Sequence, residues 1–189
     1  MANDDKVNGL KPVGHIHGAG YSGETREYSV ASGYATALFV GDPVKSSGTA
    51  NADGVPGVEL AAAGNNLIGV VTGIKVEQPS GVQQHPGYHP ASTAGLVSVN
   101  IDPGTIYEVQ EDGNMGLVGV GLTADHTAAS GNTTNGASGV EIDSSDAGTG
   151  AGFKILGFSQ RQGNEPANAN AKLLVTINEH ELTGAGVGV

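Results

Sequence analysis

Two apolar runs decide the fold: Ala35-Thr36-Ala37-Leu38-Phe39-Val40-Gly41-Asp42-Pro43-Val44 and Leu67-Ile68-Gly69-Val70-Val71-Thr72-Gly73-Ile74. Both are apolar, rich in β-branched side chains, and closed off by Gly or Asp-Pro, which is the composition and punctuation of β-strands. Working outward, the same pattern predicts strands near residues 25–30, 34–40, 55–60, 67–76, 95–101, 106–111, 153–160 and 171–179. Leu96-Val97-Ser98-Val99-Asn100-Ile101 alternates, with Val97, Val99 and Ile101 on one face. Asp102-Pro103-Gly104 supplies a turn, because Pro pre-sets φ and Gly accepts a positive one. Residues 106–111 then return, which predicts a hairpin ending at Asp112-Gly113. Helix signals reduce to one short turn around residues 123–126, with Thr123 or Asp125 as its cap. A series of short strands joined by Gly-rich turns predicts an all-β fold, a small β-sandwich or barrel of jelly-roll-like character with long Gly-rich loops.

The composition sets limits on that fold. The chain has 189 residues, with 32 glycines, no cysteine and no tryptophan. Val, Ile, Leu and Phe together supply 42 residues, of which 28 are Val or Ile. This core is thin for the length and mostly β-branched, so it favours strands and benefits from burial against other subunits. Residues 1–24 are polar and glycine-rich and are expected to form an extended N-terminal arm. Residues 25–183 form the β domain, with a long loop at 127–152 that carries a short edge strand. Residues 184–189 form a loose tail.

Charge and motifs exclude several functions. A net charge of −11, from 19 acids and 8 bases, opposes nucleic-acid binding and attachment to an anionic membrane. The first residues carry no apolar leader and no run is long enough to cross a membrane as a helix, so synthesis in a cytoplasm is expected. His15-Ile16-His17 puts two imidazoles on one side of a strand, and His85 and His89 form a second pair, yet neither has the further ligands of a zinc site. Carboxylates cluster at Glu108, Glu111 and Asp112, and at Glu141, Asp143 and Asp146, and are expected to be solvated. The glycine run Gly116-Leu117-Val118-Gly119-Val120-Gly121 lacks the Lys-Ser/Thr ending of a phosphate loop. No Gly-x-Ser-x-Gly elbow occurs. The expectation is a non-enzymatic protein with no metal and no cofactor. A metal-dependent hydrolase using His15 and His17 stands well behind it.

Several segments, in order, resemble the decoration or cement proteins that coat the heads of tailed bacteriophages. They are residues 34–44, Val58-Glu59-Leu60-Ala61-Ala62-Ala63-Gly64, residues 67–74, and Asp102 with Ile106-Tyr107-Glu108-Val109-Gln110-Glu111-Asp112-Gly113. Ser138-Gly139-Val140-Glu141-Ile142-Asp143, Lys154-Ile155-Leu156-Gly157-Phe158 and residues 170–178 complete the series. The resemblance implies a homotrimer on the virion exterior, bound to the major capsid protein at three-fold and quasi-three-fold positions. It also implies addition after capsid expansion, and stabilisation against packaged DNA. A head-fibre base or a carbohydrate-binding module on the virion is the alternative. His15, Ile16, His17, Tyr21 and Tyr28 are the expected capsid or inter-subunit contacts, with the N-terminal arm reaching across a neighbour.

Overall fold

The computed structural model describes residues 2–77, 83–84, 87–127, 130–166 and 168–183, and among them the chain is all-β. In chain order the strands are β1 (Lys11–His15), β2 (Arg26–Val30), β3 (Leu38–Phe39), β4 (Pro43–Ala50), β5 (Pro56–Leu60), β6 (Gly69–Glu77) and β7 (Gln83–Gln84). They continue as β8 (Tyr88–His89), β9 (Gly95–Asn100), β10 (Thr105–Gln110), β11 (Thr123–Ala124), β12 (Phe153–Phe158) and β13 (Lys172–Ile177). Two single-turn 3₁₀ helices, Leu117–Gly119 and Ser144–Asp146, are the helical elements of the described residues.

Five strands close on themselves. β4 pairs with β5, β5 runs parallel to β2, β2 pairs with β9, β9 with β6, and β6 returns to β4. The result is a small barrel. Its interior holds alternate residues of each wall strand: Tyr28 and Val30, Val44, Val58, Val97 and Val99. In β6 the inward residues are Val71 and Ile74, three apart rather than two. A bulge between Val71 and Gly73 inserts the extra residue and keeps the phase. Closure gives each of the five strands two neighbours, with β2 and β5 joined through the single parallel pair Ser29–Gly57 and β4 and β6 through Pro43 and Val44.

The second layer is a five-stranded antiparallel sheet in the order β1-β10-β13-β12-β11. Its inner face presents Tyr107 and Val109, Leu173, Val175 and Ile177, and Phe153, Ile155 and Phe158. Leu67 and Val70 meet it from the barrel side. The stretch 67–71 therefore alternates between two cores: Leu67 and Val70 face the sheet, while Ile68 and Val71 face the barrel. A strand buried on both faces reads as a continuous apolar run. Gly69 is required where β6 crosses β9, because a Cβ there would overlap the Asn100 carbonyl oxygen and approach Val99 Cγ1 at 2.8 Å.

The structure corrects several expectations. Residues 34–44 are not one strand. Leu38–Phe39 pairs with β8, Val40 bridges to Ala137, and Gly41 at φ 99° turns the chain into β4, which begins at Pro43. Asp42 holds that turn by accepting the Phe39 amide at 2.8 Å. The turn at Asp102-Pro103-Gly104 forms as read, with Thr105 N donating to Asp102 O at 3.1 Å. Yet β9 and β10 lie in different layers, so the segment is a corner and not a hairpin. Asn100 secures it: its side-chain oxygen accepts from Asp102 N at 3.0 Å and from Thr105 Oγ1 and Tyr107 Oη at 3.2 Å each.

Part of the expected extended N-terminal arm is packed rather than projecting: residues 9–15 join the body of the fold, while residues 16–20 and 22–24 are exposed. Leu10 is 1% exposed in the sheet core, and β1 is the edge strand beside β10. The loop between β11 and β12 is likewise part of the core. Val140 and Ile142 are fully buried, and Ile142 bridges Glu111 and His126. The expected helical turn at 123–126 is instead β11, and the expected tail at 184–189 lies outside the described residues.

Candidate binding surface

Residues 2–10 run from the loop after β12 to the mouth of the barrel, and side chains fix them along the way. Asn3 ties down Glu165 and Ala169: its Nδ2 donates to Glu165 O at 3.1 Å and to Ala169 O at 3.0 Å, and its Oδ1 accepts Glu165 N at 2.7 Å. Lys6 N donates to Gln110 Oε1 at 3.0 Å, and Leu10 N to Gly41 O at 3.0 Å. A cleft lies on each side of this strap.

The first cleft, of about 340 Å³, is polar and lined by Lys6, Lys11, Arg161 and Lys172 with Asp4 and Glu108. Half of the chain's eight basic residues meet here, and only two of its 19 acids. Both acids are engaged. Asp4 pairs with Lys6 on the exposed rim at 2.8 Å. Glu108 takes Arg161 Nη1 on one oxygen and Ser159 Oγ on the other, each at 2.6 Å. Lys172 is half-buried, and its ammonium donates to Lys6 O at 2.7 Å and Gln110 Oε1 at 2.6 Å, leaving one N–H. Burial pulls its pKa below the usual lysine range; Glu108 and Glu141 oppose this, while Arg161 and Lys11 add to it.

The second cleft, of about 450 Å³, is more apolar and is lined by Leu10, Pro12, Tyr21, Val40 and Ala137. Asn8 and Lys11 line both clefts. Electrostatics and apolar surface thus meet at the strap, on the free side of an edge strand. Pro12 removes a backbone donor from that edge, so recognition there falls to side chains.

The expected contact residues separate. Tyr21 lines the apolar cleft, and Ile16 (52% exposed) and His17 stand at the surface beyond β1. His15 turns inward, with Nδ1 3.2 Å from Asp102 Oδ2. Tyr28 is a correction: it is 3% exposed inside the barrel, on an inward position of β2, and offers no contact surface. The cations of the polar cleft escape sequence reading because they lie as far apart as Lys6 and Lys172. The scarcity of bases was the available signal, and it carries no information about convergence.

The other chemistry read from the sequence disperses. Among the described residues no group of three or more His, Asp or Glu side chains stands ready for one metal ion. His85 lies outside the described residues, and His89 is buried against Gly95 rather than solvated. Glu111, expected at the surface, is fully buried; its Oε2 accepts Met115 N at 2.9 Å, and burial raises its pKa. Asp143 caps the 3₁₀ turn at Ser144–Asp146 by accepting Ser145 N. Among the described residues His89, His126 and His180 are buried, and burial lowers the pKa of each.

A third surface is largely apolar, with one cation at its edge, Lys154, whose ammonium donates to Gly121 O. Leu117, Val118, Val120 and Leu122 are exposed in sequence, Val118 by 82%, and Leu156 (41%) lies beside them on β12. The segment is tied to β12 through Gly121 N to Ile155 O and Ile155 N to Leu122 O, both 3.0 Å. Met115 is the buried anchor beneath, its thioether filling the space where a side chain at Gly119 would sit.

Compared with protein-family models, with curated proteins and with solved structures, the chain matches none significantly.

Proposed function

We propose that this protein is a structural, non-enzymatic virion component that decorates the outside of a capsid as homotrimers. The ordered series of segments resembling phage decoration proteins motivates the reading. The observation that carries it is the exposed run Leu117, Val118, Val120 and Leu122 beside Leu156. Residues 114–123 hold no charge in a chain of net charge −11. An apolar patch without acids, bordered only by the Lys154 cation, is where acidic copies, or a copy and a shell, approach with the least repulsion. Each contact is modest, and repetition over a shell multiplies it.

Purified protein added to expanded capsids should bind in fixed stoichiometry and raise their resistance to heat. Val118→Asp, at a fully solvated position, should keep the fold and weaken binding ~10-fold or more. Failure of the wild-type protein to bind or protect such capsids, or unchanged binding by the variant, overturns the proposal. A monomer by light scattering at capsid-saturating concentration overturns the trimer.

A further inference from the structure

The paired clefts flanking Asn8 and Lys11 carry a separate inference, independent of whether the chain coats a capsid. We propose that they form one extended binding site for an acidic peptide segment bearing an apolar residue.

Charge is the first argument. The polar cleft gathers four cations in a chain whose remaining surface is strongly acidic. Its carboxylates are already spent: Glu108 holds Arg161 and Ser159, and Asp4 holds Lys6. The Lys11 side chain makes no hydrogen bond or ion pair with the described residues, and Lys172 keeps a free N–H. The cleft therefore presents uncompensated positive charge inside a recess, where low-dielectric walls strengthen attraction to an anion.

Shape and lining argue for a peptide over a lone oxyanion. The cations come from three separate stretches, and none of the residues lining the cleft belongs to a helix. Asn8 and Asn170 line the cleft with carboxamides that make no side-chain hydrogen bond among the described residues. Each offers a donor and an acceptor, the complement of a peptide group. The adjoining cleft continues past Lys11 with Pro12, Tyr21 and Val40, a seat for one apolar side chain. Tyr21 thereby regains a contact role, toward a bound segment.

The test is fluorescence anisotropy with a labelled tetraglutamate peptide carrying one leucine, titrated with the full chain. Binding should weaken with added salt, drop ~10-fold or more in Lys11→Glu, and fall again in Val40→Asp or when the leucine is replaced by serine. Lys11 is exposed, so its substitution leaves the core untouched. The proposal is overturned if the tetraglutamine analogue binds as well, if Lys11→Glu binds unchanged, or if inorganic phosphate competes fully while the leucine makes no difference. The last outcome would assign a simple anion pocket. Capsid attachment is read separately through Val118→Asp, so either idea can fail alone.

Discussion

The barrel and the five-stranded sheet bury similar kinds of side chain by different means. The barrel core is almost wholly aliphatic and comes from regular strands: Val30, Val44, Val58, Val71, Val97 and Val99. The sheet core carries the large aromatics Tyr107, Phe153 and Phe158, and segments outside any ladder complete it: Leu10, Ala61, Leu67, Met115, Val140 and Ile142. It also encloses titratable groups, Glu111 and His126, the latter bonded to Ala61 O at 3.0 Å and edge-on to Phe153. A closed ladder holds a thin core in place by hydrogen bonding. An open sheet depends on distant pieces of chain to cover it.

The sharpest way to break this contrast is truncation in the sheet core. Phe153→Ala should cost about 3–5 kcal/mol and Ile142→Ala about 2–5 kcal/mol in chemical denaturation. Hydrogen exchange should show protection lost first in β12 and β13, with β9 and β6 retained. If Ile142→Ala behaves as a surface change, the loop at 127–152 is not part of the core.

The pH dependence should carry opposite signs in the two regions. His126 has a lowered folded pKa, so the unfolded chain binds its proton first on acidification. Its contribution is present above the ordinary histidine pKa and is lost as pH falls below about 6.5. Asp42, at the barrel mouth, is raised to about 6, chiefly by burial, with the Ser138 side chain and Phe39 amide tempering the shift. Its contribution is present below the ordinary aspartate pKa and is lost as pH rises through about 6. Relative to wild type, Asp42→Asn should therefore gain stability between pH 4 and 7, and His126→Gln should gain as pH falls from 7.5 to 5. The slopes stay below about 1.4 kcal/mol per pH unit for each group. Parallel slopes for the two variants would remove the distinction.

The smallest expected effect lies on the barrel wall. Lys75 and Glu27 form an exposed pair between β6 and β2. Lys75→Ala should cost less than about 1 kcal/mol, and less still in high salt. A larger loss would mean that closure relies on this pair rather than on the aliphatic interior.

The barrel was legible because period-two patterning in residues 26–30, 56–60 and 95–100 survives in the wall strands. Residues 67–71 were legible as a strand, but their role between two cores was not, since a doubly buried strand shows no alternation. The binding clefts were not legible at all. Lys11, Arg161 and Lys172 carry no local pattern, and Leu10 looks like a stray apolar residue in a polar segment.

By itself, then, the sequence determined the class of this protein. Its β-branched residues, abundant glycine and acidic charge dictate short strands, tight turns and an acidic surface through local sterics and solvation. Only the tertiary structure decided that β4 meets β6, that β9 and β10 part at a corner, and that residues 2–10 form a strap between two clefts. Those outcomes rest on pairings between residues far apart in the chain, and no local propensity encodes them.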